Sequence, residues 1–196
     1  MDATEVSRET LISRHFPGNE EKIRLYADFL LREGVKRGLI GPREGDRIWE
    51  RHIFNSLPVM ELIPQGASVI DIGSGAGLPG IPLALARPDL SMVLIEPLKR
   101  RVDFLLEAVR ELTIHVMHGR AEDATIKSDV VTARAVASFE KLKKMSWHLL
   151  SKGGVLLAIK GESAAQEVMA ISGAHLHEIE LEGLPIGRVI LLKKSA

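Results

Sequence analysis

Residues 67–80 have the sequence ASVIDIGSGAGLPG, and this stretch decides the fold class. Its first part, Ala67–Ile72, is a short β-branched apolar run, which predicts a buried strand. Its second part, Gly73–Gly80, is a glycine-rich turn, where the backbone can turn sharply and a ligand can approach it without a Cβ in the way. A helix is predicted to follow from about Gly80 to Ala86. The stretch therefore predicts a strand, a ligand-binding turn and a helix in succession.

The same alternation continues to the end of the chain. Further strands are predicted at Ser91–Ile95, Ile114–Met117, Asp129–Thr132, Gly154–Ile159, His175–Glu180 and Arg188–Leu192. Further helices are predicted at Pro97–Leu112, Ser138–Leu150 and Ser163–Ile171. Strands that alternate with helices indicate an α/β, Rossmann-like fold with a mostly parallel seven-stranded sheet. Such sheets bind ligands at the carboxyl ends of the strands, where the strand order reverses.

The region before the sheet has a different pattern. Residues from about 4 to 60 are predicted to be helical, and no strand is predicted before Ala67. Ile23, Tyr26 and Phe29 fall at helical spacing, and a second helical run extends over Ile48–Leu62. We therefore expect an N-terminal helical extension over residues 1–64 and a Rossmann-like core over residues 65–196, forming one compact unit.

Composition excludes several classes of protein. The 196 residues include no Cys, which excludes disulfides, thiolate metal sites and thiol nucleophiles. The formal net charge is zero, so any RNA-binding surface must be local. The N-terminus lacks the apolar core of a signal peptide, and no apolar run approaches the ~18 residues that a membrane span needs. We expect a cytoplasmic, soluble protein.

Acidic residues near the turn indicate which cofactor it binds. Glu96 ends the second predicted strand, where a carboxylate can accept hydrogen bonds from both hydroxyls of a ribose. The glycines follow the pattern G-x-G-x-G, and Leu78 occupies the position where a dinucleotide fingerprint requires its third glycine. Asp71 supplies a negative charge that suits a sulfonium or an ammonium group. The pattern favours S-adenosylmethionine over a nicotinamide cofactor, and no Walker A sequence follows the turn.

Several stretches together resemble one family. They are Arg51–Leu57 (RHIFNSL), Gly73–Pro82 (GSGAGLPGIP), Lys99–Arg101 with Phe104 and Leu105, Ala133–Ala137 (ARAVA) and Lys160–Gly161. Over about residues 20–195 the chain resembles the small-subunit ribosomal RNA guanine-N7 methyltransferases, also called the glucose-inhibited division protein B family. The resemblance implies a class I S-adenosylmethionine-dependent methyltransferase that methylates N7 of one guanine in the decoding region of 16S ribosomal RNA.

The resemblance also implies a set of cofactor-binding residues. They are Gly73, Leu78, Ala121, Glu122 and Arg134, with Glu96 as the ribose partner. Ser74, Gly75 and Gly77 of the same turn are further cofactor-binding candidates. The chain departs from the family pattern at Asn55, where many relatives have Asp, and we assign that position no catalytic role. It also has Glu96 where relatives often have Asp, which preserves the carboxylate for the ribose.

Methylation at N7 needs no general base, because that nitrogen already has an in-plane lone pair. We therefore predict no catalytic residue other than groups that position the substrates, with Arg134 as the candidate at the junction of cofactor and base. His115 and His118, like His175 and His177, lack an acidic third ligand in register, so we expect no metal site.

Basic residues provide candidate RNA contacts on an otherwise neutral chain. Candidate phosphate contacts are Lys99, Arg100, Arg101 and Lys160, with Lys141, Lys143 and Lys144 as further candidates. The two groups on helices, 99–101 and 141–144, are also compatible with a solvated helix face, which is the usual role of charged residues there. The expected partner is 16S ribosomal RNA or the small-subunit particle, bound by a monomer. A same-fold methyltransferase acting on another substrate, a non-catalytic RNA-binding or assembly protein and a nicotinamide oxidoreductase remain alternatives.

Overall fold

The computed structural model describes residues 6–195, through which one seven-stranded sheet extends. The strands are β1 (Ser68–Ile72), β2 (Ser91–Glu96), β3 (Ile114–His118), β4 (Ser128–Arg134), β5 (Leu150–Lys160), β6 (Ala174–Ile179) and β7 (Gly187–Lys193). All the predicted strands are present, and β5 begins at Leu150 rather than at Gly154. Residues 1–5 and 196, at the outer ends of the predicted extension and core, lie outside the described residues.

The strand order confirms the Rossmann-like α/β fold. It is β3-β2-β1-β4-β5-β7-β6, with β1 to β5 parallel and β7 antiparallel to both of its neighbours. The order reverses between β1 and β4, where Asp71 pairs with Thr132. Ligand crevices form at such a reversal, on the carboxyl side of the strands. The turn after β1 and the loop after β4 therefore flank the expected binding site.

Six α-helices accompany the sheet within residues 6–195. They are α1 (Arg8–His15), α2 (Glu20–Phe29), α3 (Gly80–Ala86), α4 (Lys99–Ala108), α5 (Phe139–Ser146) and α6 (Ala164–Met169).

Three of the predicted helices have different ends in the structure. Helix α6 covers Ala164–Met169 rather than Ser163–Ile171, and α4 ends at Ala108 rather than near Leu112. Helix α4 begins at Lys99 rather than Pro97, because the Glu96 carboxylate accepts a hydrogen bond from the Leu98 amide and Leu98 is extended. Helix α5 ends at Ser146, before the predicted end at Leu150, because Leu150 pairs with Ser128 as the first residue of β5.

The prediction of one helix over Ile48–Leu62 is wrong in detail. A π-helical turn (Trp49–Ile53) is followed by two 3-10 turns, Phe54–Ser56 and Pro58–Leu62. Pro58 explains part of the break, because it has no amide hydrogen to donate and its ring clashes with the preceding turn of an α-helix. The segment remains helical in character, and the first strand in the described residues is β1.

Apolar side chains form a cluster on each face of the sheet. The larger cluster joins the N-terminal segment to the sheet, for example through Phe16, Ile23 and Ile53 with Leu94 and Phe104. The N-terminal helices therefore pack directly on the strands and helices that follow the glycine turn. No helix in residues 6–195 is long and apolar enough to cross a membrane.

Candidate cofactor and substrate site

The glycine turn joins β1 to α3, and its glycines differ in what surrounds them. Gly73, Gly75 and Gly77 have φ angles of 66°, 58° and 95°, a region that side-chain-bearing residues rarely adopt. A Cβ at Gly77 would lie 2.4 Å from Cδ1 of Ile81. A Cβ at Gly75 would meet nothing closer than the Gly73 carbonyl oxygen, 3.8 Å away. Gly77 thus packs closely against the Ile81 side chain, whereas Gly75 adjoins open space that a ligand can occupy.

Glu96 lies at the carboxyl end of β2 and contacts this turn. Its side chain is 1% exposed. Its Oε2 accepts a hydrogen bond of 2.9 Å from the Gly75 amide, and its Oε1 accepts one of 3.0 Å from the Leu98 amide. Nη1 of Arg101 lies 3.8 Å from Oε2. The carboxylate is beside the turn, as a ribose partner would be, and it also fixes the conformation of the turn at Gly75. Its binding to a ribose stays a prediction.

Asp71 is the second acidic residue of the turn and is fully buried. Its Oδ2 accepts a hydrogen bond of 3.2 Å from the Gly80 amide at the start of α3. Its Oδ1 has no hydrogen-bond partner among the described residues. Burial raises the pKa of Asp71 to about 7, although the hydrogen bonds of Ser74 and Gly80 and the charge of Arg134 act in the opposite direction. A nearby cationic group would favour its ionised form.

The segment predicted to contact adenine lies next to Glu96. The Gly119 amide donates to the Glu96 carbonyl oxygen at 3.1 Å, and a 3-10 turn follows at Ala121–Asp123. Ala121 is buried, whereas Glu122 is exposed and pairs with Arg120 at 3.0 Å. The turn, Glu96 and this segment thus occupy neighbouring positions along one edge of the sheet.

Arg134, the last residue of β4, bonds to the N-terminal segment. Its Nη1 donates to the carbonyl oxygens of His52 (3.1 Å) and Arg51 (3.3 Å), and its Nη2 lies 3.1 Å from Nδ1 of His52. Ala135, directly after it, has a φ of 54°, an uncommon conformation that turns the chain away from the strand. The guanidinium is therefore fixed at the carboxyl end of β4, where cofactor and base are predicted to meet.

A cleft of about 1130 Å³ opens beside Arg134. The sheet side of the cleft consists of Arg134–Ser138, Ile159–Gly161, Ser163 and Glu167. The other side comes from the N-terminal segment, with Leu39–Gly41, Glu44, Arg47, Glu50–His52 and Asn55, and Pro185 also contributes. The volume of the cleft is sufficient for a base and its sugar-phosphate, because typical ligand pockets have volumes of about 300–1,000 Å³.

Lys160 lies in this cleft but is already paired. Its Nζ donates to the Ala137 carbonyl oxygen at 2.5 Å and lies 2.8 Å from Oε2 of Glu167. The side chain is 9% exposed. A phosphate would have to compete with Glu167 for this ammonium, so phosphate binding by Lys160 stays a prediction.

The basic residues of α4 have unequal surroundings. Lys99 pairs with Asp103 one turn along the helix, Arg100 is exposed, and Arg101 lies beside Glu96. Lys99 and Arg100 remain candidates for RNA contact. Arg101 also remains a candidate for RNA contact, and its guanidinium is close enough to Glu96 to offset the negative charge of that carboxylate.

The predicted lysines of α5 also differ from one another. Lys144 pairs with Glu140 at 2.8 Å, and the ammonium of Lys143 lies 5.2 Å from the ring centroid of Trp147. Lys141 is exposed. These contacts fit a solvated helix face and leave RNA contact by α5 a prediction.

Sequence reasoning missed two contacts from the N-terminal segment. The Tyr26 hydroxyl donates to the Ala76 carbonyl oxygen in the glycine turn at 2.9 Å, and burial raises the pKa of Tyr26, so the hydroxyl remains protonated. His52 contacts Arg134, as described above. The family-like stretch Arg51–Leu57 was the available signal for His52, whereas Tyr26 appeared only as a core residue of a helix.

Comparison with known proteins identifies the family. The model of the GidB family, rRNA small subunit methyltransferase G, matches residues 19–181. A relative from Mycolicibacterium gilvum, named ribosomal RNA small subunit methyltransferase G, is 54% identical over 170 residues, which cover 81% of this chain and 75% of the relative. The chain belongs to the rRNA small subunit methyltransferase G family.

Solved structures agree with the fold of this family member. Precorrin-6y C5,15-methyltransferase from Geobacter metallireducens has a TM-score of 0.53 at 12% identity, over 80% of this chain and 90% of the other. TYW2 from M. jannaschii, in complex with AdoMet, has a TM-score of 0.53 at 18% identity, over 74% of this chain and 76% of the other. At these identities the likeness shows the methyltransferase fold alone.

Proposed function

We propose that this family member is an S-adenosylmethionine-dependent methyltransferase that methylates N7 of one guanine in the decoding region of 16S ribosomal RNA. It would act as a monomer in the cytoplasm, on the RNA or on the small-subunit particle. The observation that carries the proposal is the cleft at Arg134, which opens at the strand-order reversal in a chain that matches this family over residues 19–181. Val136, which lines the cleft, borders Gly73 of the glycine turn.

The residues of the turn fit S-adenosylmethionine. Gly75 adjoins open space, Glu96 is an acceptor beside it, and Oδ1 of the buried Asp71 is without a partner among the described residues. We propose that the turn from Gly73 to Leu78 binds the cofactor, with Glu96 at the ribose and Ala121 and Glu122 at the adenine. The carboxylate of Asp71 would favour the positive charges of this cofactor. S-adenosylmethionine, when bound, supplies an electrophilic methyl group.

The chain's own task is then to position the base. Guanine N7 needs no deprotonation, and two carboxylates of the cleft are already paired with cations. Glu44 contacts Arg51 and His52, and Glu167 contacts Lys160. We propose that Arg134 donates hydrogen bonds to an acceptor of the cofactor or of the guanine at their junction. Positioning of this kind can supply a large part of the rate enhancement, because it replaces a bimolecular encounter by an oriented one.

Methylation of small subunits that lack the modification tests the proposal. Purified 30S subunits from cells without this enzyme, and naked 16S RNA in parallel, would be incubated with S-adenosylmethionine and mapped by mass spectrometry. We expect one additional methyl group, at N7 of a guanine in the decoding region. Subunits from cells that have the enzyme are the matched control and should accept none. A methyl group at another atom or another nucleotide would refute the assignment.

A cofactor titration separates the alternatives. Isothermal titration should show binding of S-adenosylmethionine or S-adenosylhomocysteine in the micromolar range, which corresponds to about −7 to −9 kcal/mol. Cofactor binding without any RNA methylation would favour a same-fold enzyme with another substrate. The absence of cofactor binding would favour a non-catalytic assembly protein, and tighter binding of NAD would favour an oxidoreductase.

A further inference from the structure

The contacts of Arg134 depend on the protonation state of one histidine. Nη2 of Arg134 is a donor and lies 3.1 Å from Nδ1 of His52, so this ring nitrogen must accept the hydrogen bond. Nε2 of His52 lies 3.1 Å from Oε2 of Glu44. An ionised carboxylate oxygen accepts hydrogen bonds and cannot donate them, so Nε2 must be the donor. Both contacts are satisfied by one form of the ring, the neutral tautomer with its proton on Nε2.

Other charged groups around the ring favour this form. Arg51 bonds to the second oxygen of the same carboxylate, with Nη1 2.9 Å from Oε1 of Glu44. Protonation of Nδ1 would place two donors against each other and two cations side by side. Burial, followed by the charge of Arg134, lowers the pKa of His52, whereas the contact with Glu44 raises it, and the net direction is downward from 6.5.

We propose that His52 is a positioning residue: its Nδ1 orients the Arg134 guanidinium at the cleft, and the bond from Nε2 to Glu44 fixes the tautomer that makes this possible. The proposal rests on the proposed function in one respect, namely that Arg134 contacts the cofactor or the base. The His52 ring itself is not required to touch either of them or to transfer a proton.

A pair of variants separates the two ring nitrogens. In His52→Asn, the side-chain oxygen takes the place of Nδ1 and can accept from Arg134, but the contact with Glu44 and the titration are lost. In His52→Gln, the amide takes the place of Nε2 and can donate to Glu44, but the acceptor for Arg134 is lost. We expect His52→Gln to lower kcat/KM about tenfold, the effect of one lost hydrogen bond to a charged group, and His52→Asn to retain most of it.

The pH profile gives a readout that a merely structural role would not move. Relative to His52→Asn, the wild-type rate should fall at acidic pH, below the ordinary histidine pKa of 6.5, as Nδ1 takes up a proton. The other charged or titratable groups that face His52 and Arg134 are Glu44, Arg51, Tyr26 and Asp71, and because all of them are present in both proteins, an acid limb caused by the buried carboxyl of Asp71 is common to both. A ratio of the two rates that does not change with pH would overturn the proposal.

The tautomer can be observed without any activity. Nitrogen-15 spectra of the labelled wild-type protein at neutral pH should show the His52 Nε2 protonated and Nδ1 unprotonated, assigned by comparison with His52→Asn. A protonated Nδ1, or equal losses of kcat/KM in the Asn and Gln variants, would overturn the proposal. If the wild-type protein methylated no RNA, the proposed function would fail, and the spectra would still decide the state of His52.

Discussion

Replacement of Asp71 by Asn should change how stability depends on pH. The buried carboxyl of Asp71 has a pKa of about 7, against an ordinary value of 3.8, because burial disfavours its charge. A folded state that binds a proton more tightly than the unfolded state loses stability as pH rises. The free energy of unfolding of the wild type should therefore fall as pH rises from about 3.8 to about 7, and stay level above that range.

The size of the effect follows from the two pKa values. If stability is measured at pH 5 and at pH 8.5, the wild type loses stability only over the interval from pH 5 to about pH 7. The loss is ~1.4 kcal/mol for each of these two pH units. Asn is of the same size, and its oxygen can accept from the Gly80 amide as Oδ2 does now. Relative to the wild type, Asp71→Asn should therefore gain up to about 3 kcal/mol of stability between these pH values.

Urea denaturation of both proteins at pH 5 and pH 8.5 measures this difference. The other titratable groups, including His15 and His52, are common to both proteins and cancel in the comparison. A stability difference between the two proteins that is the same at both pH values would refute the reasoning. The same carboxylate should aid the binding of a cationic cofactor, so Asp71→Asn should bind S-adenosylmethionine more weakly at pH 8.5 although it is more stable there.

Three further predictions concern the turn and the RNA surface. Gly75→Val should abolish cofactor binding and keep the native circular dichroism, although its positive φ lowers stability. Gly77→Ala should also lower the melting temperature, because its Cβ would lie 2.4 Å from Cδ1 of Ile81 at a φ of 95°, and a melting temperature equal to that of the wild type would contradict this. Tyr26→Phe should weaken cofactor binding severalfold in isothermal titration, because the hydrogen bond to the Ala76 carbonyl oxygen in the turn is lost, at a cost of ~1 kcal/mol. Unchanged affinity would show that Tyr26 contributes only to core packing. Replacement of Lys99 and Arg100 by Gln should reduce the slope of log binding constant against log salt concentration for RNA binding by up to about one per lost phosphate contact. Cofactor affinity should not change. An unchanged slope would show that these two side chains are solvated and contact no phosphate.

The sheet could be predicted because its signals are local. Most of the strands contain a short apolar run between turns, and the glycine turn with Asp71 is contained in ten consecutive residues. Glu96 follows from the spacing of one βαβ unit, and the structure indeed places it against the turn. The ends of helices were less accurate, because they depend on competing partners such as the Glu96 carboxylate before α4 and the β-pairing of Leu150 after α5.

Contacts between distant parts of the chain could not be predicted in the same way. The partner of Tyr26 lies 50 residues away in the turn, and the partner of Arg134 lies 82 residues before it. No periodicity or spacing encodes such a pairing. The ion pair between Lys160 and Glu167 could not be predicted either. A basic residue at the end of a strand looks the same in the sequence whether its side chain faces a bound phosphate or a carboxylate of the next helix.

These distant contacts make the N-terminal segment part of the site. It donates to the glycine turn through the Tyr26 hydroxyl, and it accepts from Arg134 through the carbonyl oxygens of Arg51 and His52. A partly buried guanidinium is costly unless acceptors replace the water that it loses. The acceptors here come from a segment that precedes the sheet, so the position of Arg134 in the cleft depends on the packing of that segment. The glycine turn and the cleft at Arg134 are therefore joined by three residues of the N-terminal segment, Tyr26, Arg51 and His52.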